Sequence, residues 1–262
     1  MAKSPNPPCE TLLEIQRQCA TPPVATVVIP LYNYGQFIVE GLESVCAQTL
    51  ENFDLIIVDD HSTDNSADIA RDWLGAHAAR FRRVCLLRQA RNAGLAATRN
   101  AGFHQAATPF VLPLDADNAI YPTCLEKLHR SLLSSEAAFA YCLVERFGAK
   151  PAEPLMHLRP WNPSTLARDN WIDAMVLLRR RIWEQVGGYS ENMPHPGWED
   201  YDLWFKIARA GGYGLQVFQI LARYRVHPAS MLHTVTNRKE NEQTLRAYFR
   251  SAYAEFFDAP LA

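Results

Sequence analysis

The stretch Val111-Leu112-Pro113-Leu114-Asp115-Ala116-Asp117-Asn118 decides how this chain folds, because an unbroken apolar run delivers two carboxylates to one place. A run without polar alternation suits a strand buried on both faces, as in a parallel sheet covered by helices. Continued as an extended segment, it sends Asp115 and Asp117 to the same side, ~7 Å apart. Two hard oxygen donors suit Mg²⁺ or Mn²⁺, which keeps several waters and takes its other ligands from phosphates. An Asp-rich turn closing a strand is the other reading of the same letters.

Working outward, strand and helix alternate. Val24 to Pro30 is rich in β-branched residues and reads as a buried strand. Gln36 to Gln48 has apolar positions at the 3-4 spacing of a helix lying on a sheet. Leu55 to Val58 is the next strand and runs into Asp59-Asp60-His61-Ser62-Thr63-Asp64, where Ser62 or Asp64 is placed to cap the helix through Ile69 and Trp73. Val84 to Leu87 is a third strand, Leu95 to Ala107 a helix, and Phe110 to Leu114 the strand of the opening motif. Short connections and repeated alternation predict a Rossmann-like, mostly parallel sheet with helices on both faces. Ligands of such sheets bind at the carboxyl ends of the strands, where Asp59, Asp60, Asp115 and Asp117 fall.

Further on, Pro122 to Ser134 reads as a helix and Ala138 to Val144 as a strand. A Pro-rich irregular stretch from Gly148 to Asn170 holds Trp161, periodicity returns at Ala174 to Leu178, and a short helix ends at Gly187-Gly188-Tyr189. Gly197-Trp198-Glu199-Asp200-Tyr201-Asp202 then opens a helix to Ala210. Two strands, Gly214 to Phe218 and Leu221 to Val226, lead to His227, and Asn237 to Phe257 is a closing helix. Residues 1–22 read as an appendage, with a short amphipathic helix around Leu12, Leu13 and Ile15. Residues 23–232 form the main domain, divided near 120 into two halves (23–120 and 121–232), and 233–262 form the C-terminal helix.

The formal charge of -2 excludes a protein built to neutralise a run of nucleic-acid phosphates. Six scattered cysteines without Cys-x-x-Cys spacing read as reduced thiols. No signal-peptide core and no apolar window of about 18 residues is present, so a cytoplasmic location is expected, with docking on a membrane surface left open.

Four separated motifs now agree: Ile29-Pro30-Leu31-Tyr32-Asn33, Val58-Asp59-Asp60-His61-Ser62-Thr63-Asp64, Asn92-Ala93-Gly94 with Thr98-Arg99-Asn100-Ala101-Gly102, and Leu114-Asp115-Ala116-Asp117. Together they resemble family-2 glycosyltransferases of the GT-A fold. Gly187-Gly188-Tyr189, Trp198-Glu199-Asp200 and Tyr224-Arg225-Val226-His227 extend the resemblance to about Leu232. His61 stands where the family usually has Gly, at a position expected to need positive φ. The Gln-x-x-Arg-Trp signature of processive synthases is absent, which implies transfer of one sugar per encounter.

The resemblance implies a nucleoside diphosphate sugar held by Pro30, Tyr32, Asn33, Asp59, Asp60, Arg99, Asp115, Ala116 and Asp117. A carboxylate at Asp60 accepts from the N–H of uracil, thymine or guanine, and disfavours cytosine, which offers an acceptor on that edge. Asp117, Asp115 and His227 are the implied ligands of a divalent cation, Mn²⁺ or Mg²⁺, with Asp115 reaching either the ribose or a metal-bound water. Asp200 is the implied general base, with Glu199 beside it. Trp198 and Trp161 are implied to line a saccharide or glycolipid acceptor site, and core packing is the other reading of Trp198. The like charges around Asp200 raise its pKa and the helix dipole lowers it, and the sequence does not decide between them. A catalytically silent sugar-nucleotide or glycan-binding protein, and a sugar-1-phosphate nucleotidyltransferase, are the competing classes. The nucleotidyltransferase's Gly-rich loop is replaced here by Pro30-Leu31-Tyr32-Asn33.

Overall fold

A computed structural model describes residues 9–18, 21–149, 153–236 and 238–257. The elements in chain order are β1 (Cys9–Gln16), β2 (Ala25–Leu31), α1 (Ile38–Cys46), β3 (Phe53–Asp59), α2 (Ser66–His77), β4 (Arg83–Gln89), α3 (Leu95–Gln105), β5 (Phe110–Pro113) and β6 (Ala119–Ile120). There follow α4 (Cys124–Leu133), β7 (Phe139–Gly148), β8 (Leu155–Met156), β9 (Leu177–Arg179), α5 (Arg180–Gln185), α6 (Glu199–Arg209), β10 (Gly214–Val226), α7 (Lys239–Ala252) and α8 (Ala254–Phe257). One sheet runs in the order β1-β4-β3-β2-β5-β9-β7-β10-β6, with β8 paired to β7. Strands β4-β3-β2-β5 are parallel, as the alternation predicts, and so are β7 and β10. β9 runs antiparallel between the two groups.

The continuous apolar runs follow from burial on both faces. Val27, Ile29 and Leu31 of β2 face one cluster with Ile38 and Leu42 of α1, Leu74 of α2 and Leu128 of α4. Val28 faces the other cluster, with Phe103 of α3, Trp183 of α5, Phe205 of α6 and Phe249 of α7. Helix α3 lies so close to β2 that a Cβ on Gly102 would stand 2.3 Å from Cγ1 of Val28, which explains the glycine ending its motif.

Three expectations are corrected. The segment around Leu12, Leu13 and Ile15 is not a helix but the edge strand β1, antiparallel to β4. A register shift between Thr11 and Leu13 lets Leu12, Leu13 and Ile15 all pack on one core cluster, so a bulged strand imitates helical spacing. The proline-rich residues 1–8 of the expected appendage lie outside the described residues. The two late strands are one, β10, with register irregularities between Val217 and Ala222 where Phe218 is exposed. The closing helix is α7 and α8 with a break at Tyr253, and Asn237 lies outside the described residues. Tyr253 stacks on Phe205, and its hydroxyl donates to Asp202 Oδ1 at 2.6 Å, so the break fastens the C-terminal segment to α6. Among the described residues no helix is long and apolar enough to cross a membrane.

Candidate active site

The ends of β2 and β3 meet in a tied pair of loops. Asn33 Oδ1 accepts from the backbone N–H of Thr63 (2.8 Å) and Asp64 (3.3 Å), while its own N–H donates to Ser62 Oγ. Asp64 Oδ1 accepts from Ser66 N–H at 3.0 Å and so serves the start of α2, whereas Ser62 does not. Asp59 is fully buried, accepts from Ser62 N–H and pairs with Arg88 at 3.4 Å. Asp60 accepts from Gln89 Nε2, Ala93 N–H and Gly94 N–H at 3.0, 2.7 and 2.9 Å, fixing the loop that enters α3. Burial raises the pKa of its carboxyl, against the hydrogen bonds from Ala93, Gly94 and Thr98 that lower it. Pro30 is paired within β2, and Tyr32 beyond it is exposed. His61 has φ +62°, the left-handed backbone expected where its relatives by resemblance carry Gly.

Beyond β5 the chain does not stay extended. The strand ends at Pro113 and Asp115-Ala116-Asp117-Asn118 is a turn, closed by Asn118 N–H donating to Asp115 O at 2.9 Å. This corrects the extended-segment reading: the backbone turns at Ala116 and Asp117, so side-chain alternation along a strand does not set where Asp115 and Asp117 point. The end of β10 docks on the same turn. Arg225 N–H donates to Asn118 Oδ1 and Arg225 Nε to Asp117 O, both at 2.9 Å. His227 Nε2 then stands 3.0 Å from Asp117 Oδ2, its ring packed on Phe37 and Tyr34. Burial first, then the neighbouring Asp115 charge, push the Asp117 carboxyl up to about 6.

Arg99 joins the two halves. Only 2 % exposed, it donates Nη2 to Asp115 Oδ1 at 2.6 Å and Nη1 to Glu199 Oε1. Burial opposes its charge, but Asp115 and Glu199 overcome that and hold its pKa well above the usual guanidinium value. Its neighbour Asn100 clasps the backbone of Tyr189 with two 2.9 Å bonds, which couples the Asn100-Ala101-Gly102 motif to Gly187-Gly188-Tyr189. A Cβ on Gly188 would meet Asn100 Oδ1 at 2.9 Å, and its φ is +70°.

Asp200 lies in the first turn of α6, and burial, then the charges of Glu199 and Asp173, push its carboxyl well above the usual range. Burial and the repulsion of Glu199 and Asp173 outweigh the Arg99 charge and the Tyr201 N–H bond, which pull the other way. Asp200 Oδ1 accepts from Tyr201 N–H at 2.7 Å and from Asn170 Nδ2 at 3.1 Å. Trp198, at φ +61° before α6, packs against Tyr201, Phe249 and the Arg246 guanidinium. Trp161 packs edge-on to Phe139 and beside Trp171.

The structure thus links Arg99 with Asp115 and Glu199, and Asp117 with His227, in one group of side chains beyond the carboxyl ends of β5 and β10, with Asp200 next to Glu199 at the start of α6. Asn33 and Asp59 tie the loops after β2 and β3, and Trp161 and Trp198 pack against the hydrophobic cluster of α6 and α7, as the core-packing reading of Trp198 has it. Two neighbours carry no motif in the sequence. Asn170 touches Asp200, and Asp173 lies within the fields of Asp115, Asp117 and Arg99. Both fall in or just after the Pro-rich stretch, whose irregularity was the one available signal. Asn33, His61, His157 and Trp198 are the non-glycine residues with left-handed backbone among those described.

Comparison with known proteins agrees with this architecture. The family model described as glycosyl transferase family 2 matches residues 26–190. The chain is 39% identical over 117 residues to an uncharacterized glycosyltransferase, YibD, of Escherichia coli strain K12, a match covering 45% of this chain and 33% of that protein. The match therefore spans about a third of that relative's length. Among solved structures, S. aureus TarS 1-349 in complex with UDP-GlcNAc superposes with a TM-score of 0.72 at 17% identity, over 91% of this chain and 68% of that one. A mannosyltransferase from Pyrobaculum calidifontis in complex with GDP-Man and Mn2+ superposes with a TM-score of 0.61 at 18% identity, over 93% of this chain and 66% of that one. The sheet and its helices are those of the GT-A fold, and the chain belongs to glycosyl transferase family 2.

Proposed function

We propose that the protein transfers a single sugar from a nucleoside diphosphate donor (UDP-, GDP- or dTDP-linked) to a hydroxyl of a glycan or glycoconjugate, inverting the anomeric centre and depending on a divalent cation. The observation that carries the reading is Arg99. By binding Asp115 and Glu199 together it holds the donor-side turn and the start of α6 against one cleft. The neighbours' complexes with UDP-GlcNAc and with GDP-Man and Mn2+ support a donor of this class.

The chemistry of the donors fits a divalent cation: Asp117 offers a carboxylate oxygen and His227 an imidazole nitrogen, and a 3.0 Å hydrogen bond holds the two side by side. Among the described residues no three His, Cys, Asp or Glu side chains are grouped to hold a metal ion, so the expected set of Asp115, Asp117 and His227 is not assembled, and Asp115 pairs with Arg99 instead. Asp117 and His227 would hold the ion, with Asp115 oriented by Arg99 beside them. Its chemistry there would be Lewis-acid neutralisation of the charge that grows on the diphosphate.

The chain's own residues account for the rest. Asp200 Oδ1 is occupied by Tyr201 N–H and Asn170 Nδ2, so Oδ2 is the atom that takes the proton. The acceptor oxygen bonds to the anomeric carbon, the bond from that carbon to the diphosphate oxygen breaks, and the nucleoside diphosphate leaves with the electron pair. A carboxylate of raised basicity favours the proton transfer as the attacking hydroxyl becomes acidic. One displacement inverts the centre, with no protein nucleophile.

A thermal-shift screen of UDP-, GDP- and dTDP-sugars with Mn²⁺, followed by an assay for released nucleoside diphosphate, tests the reading. Stabilisation by one donor with turnover supports it. Stabilisation without release in the presence of candidate acceptors points to a silent binding protein, and the absence of any binding overturns the reading.

A further inference from the structure

The proposed reaction leaves one carboxylate of the cleft without a task. Asp173 lies between the Pro-rich stretch and β9, and its backbone and side chain are separately fixed. Its N–H donates to His157 Nε2 at 2.8 Å, and its Oδ1 accepts from Met175 N–H at 2.9 Å. His157 is 2 % exposed, and its Nδ1 lies 2.9 Å from the carbonyl of Cys142 in β7.

These partners determine the imidazole's proton. A carbonyl only accepts, so Nδ1 carries the hydrogen, and an amide N–H only donates, so Nε2 carries the lone pair. The ring is the neutral Nδ1–H tautomer, consistent with burial pushing its pKa down to about 4. His157 O in turn accepts from Gln216 Nε2 of β10 at 2.5 Å, and its backbone sits at φ +63°. Two strands of the sheet therefore hold His157 in a strained conformation, and His157 holds Asp173.

Asp173 is placed between the two halves of the site: the carbonyl of Ile172 before it accepts from Trp204 Nε1 of α6 at 2.8 Å, and β9 after it pairs with β5, whose end leads to Asp115. Asp173 feels the charges of Asp115, Arg99 and Asp117 on the donor side, and its own charge is felt by Asp200 on the acceptor side. The hydrogen bond from Met175 N–H takes Oδ1, and Asp173 is only partly buried, so its carboxylate keeps acceptor capacity for a ligand. In a transfer between those two sides the passing group is the sugar, whose hydroxyls are hydrogen-bond donors that a carboxylate oxygen accepts.

We propose that Asp173, positioned by His157, accepts hydrogen bonds from hydroxyls of the transferred sugar and selects the donor by its hydroxyl pattern. This rests on the glycosyl-transfer reading, and the following measurement separates the two. Titration calorimetry with Mn²⁺ compares UDP-glucose, UDP-N-acetylglucosamine, GDP-mannose and dTDP-glucose with free UDP, GDP and dTDP. The wild type is expected to bind one nucleotide sugar more tightly than its free diphosphate. Asp173→Asn is expected to weaken that nucleotide sugar by about 10- to 100-fold, the loss of hydrogen bonds to a charged group, and to leave the free diphosphate within about twofold.

His157→Asn, which tolerates the left-handed backbone, is expected to show the same selective loss to a smaller degree. It carries the comparison if Asp173→Asn fails to fold. Equal loss for sugar and free diphosphate, no loss for either, or a wild type that does not distinguish them overturns the role of Asp173. If no diphosphate and no nucleotide sugar binds the wild type, the transfer reading falls and the proposal falls with it.

Discussion

Arg99 offers the sharpest perturbation, because one buried guanidinium pairs with two carboxylates from different halves of the chain. In Arg99→Met the methylenes remain and the charge goes, so Asp115 and Glu199 are left facing each other and Asp200. Breaking a buried ion pair by removing one partner costs about 3–5 kcal/mol. The Asp115 side chain is 26% exposed and recovers some hydration, while Glu199 at 8% recovers little. The lower part of that range, roughly 3–4 kcal/mol, is therefore expected at pH 8. Arg99→Lys has one ammonium for two carboxylates and should restore about half. Adding Glu199→Gln to Arg99→Met removes one orphaned charge and should return about 1–2 kcal/mol. Urea unfolding of the four proteins measures these differences, and donor titration of the same set should show weaker binding when Asp115 is released. If Arg99→Met unfolds within about 1 kcal/mol of the wild type, or if Glu199→Gln makes it worse, Arg99 is not the joint described here.

Two further outcomes are expected. Asp54 in β3 is buried, and burial pushes its carboxyl up to about 6. The folded state therefore binds more protons than the unfolded state between about pH 4 and 6, and stability falls as pH rises through that window. Asp54→Asn should remove the penalty, stabilising the protein by roughly 1–3 kcal/mol at pH 8 and little at pH 4, and thermal melts at both values check the sign. EDTA should abolish both donor binding and transfer, and Mn²⁺ should restore both. Persistence of transfer in EDTA would remove the cation from the mechanism.

Much of this architecture was legible because its strands are buried on both faces. β2, β3 and β5 have no polar alternation to confuse the reading, and the carboxylates at their ends mark the open edge of the sheet. The left-handed conformation of His61 was equally legible, from one side chain standing where glycine is usual. Other features were hidden by local chemistry. The bulge in β1 gives Leu12, Leu13 and Ile15 the spacing of a helix. The irregular, exposed middle of β10 around Phe218 looks like a turn between two strands. Asp173, His157 and Asn170 belong to no repeated pattern, and they reach the cleft only through the tertiary path of an irregular segment.

In the proposed mechanism Asp200 faces a donor held by the Asp115-Asp117 turn and takes the acceptor's proton. The direct measurement is turnover and donor affinity side by side for the wild type and Asp200→Asn, with the donor found by screening. Loss of a general base is expected to slow transfer by about 10²- to 10⁴-fold, with donor affinity nearly unchanged. Wild-type turnover in Asp200→Asn would contradict the claim, and loss of donor affinity in step with turnover would place Asp200 in the donor site instead.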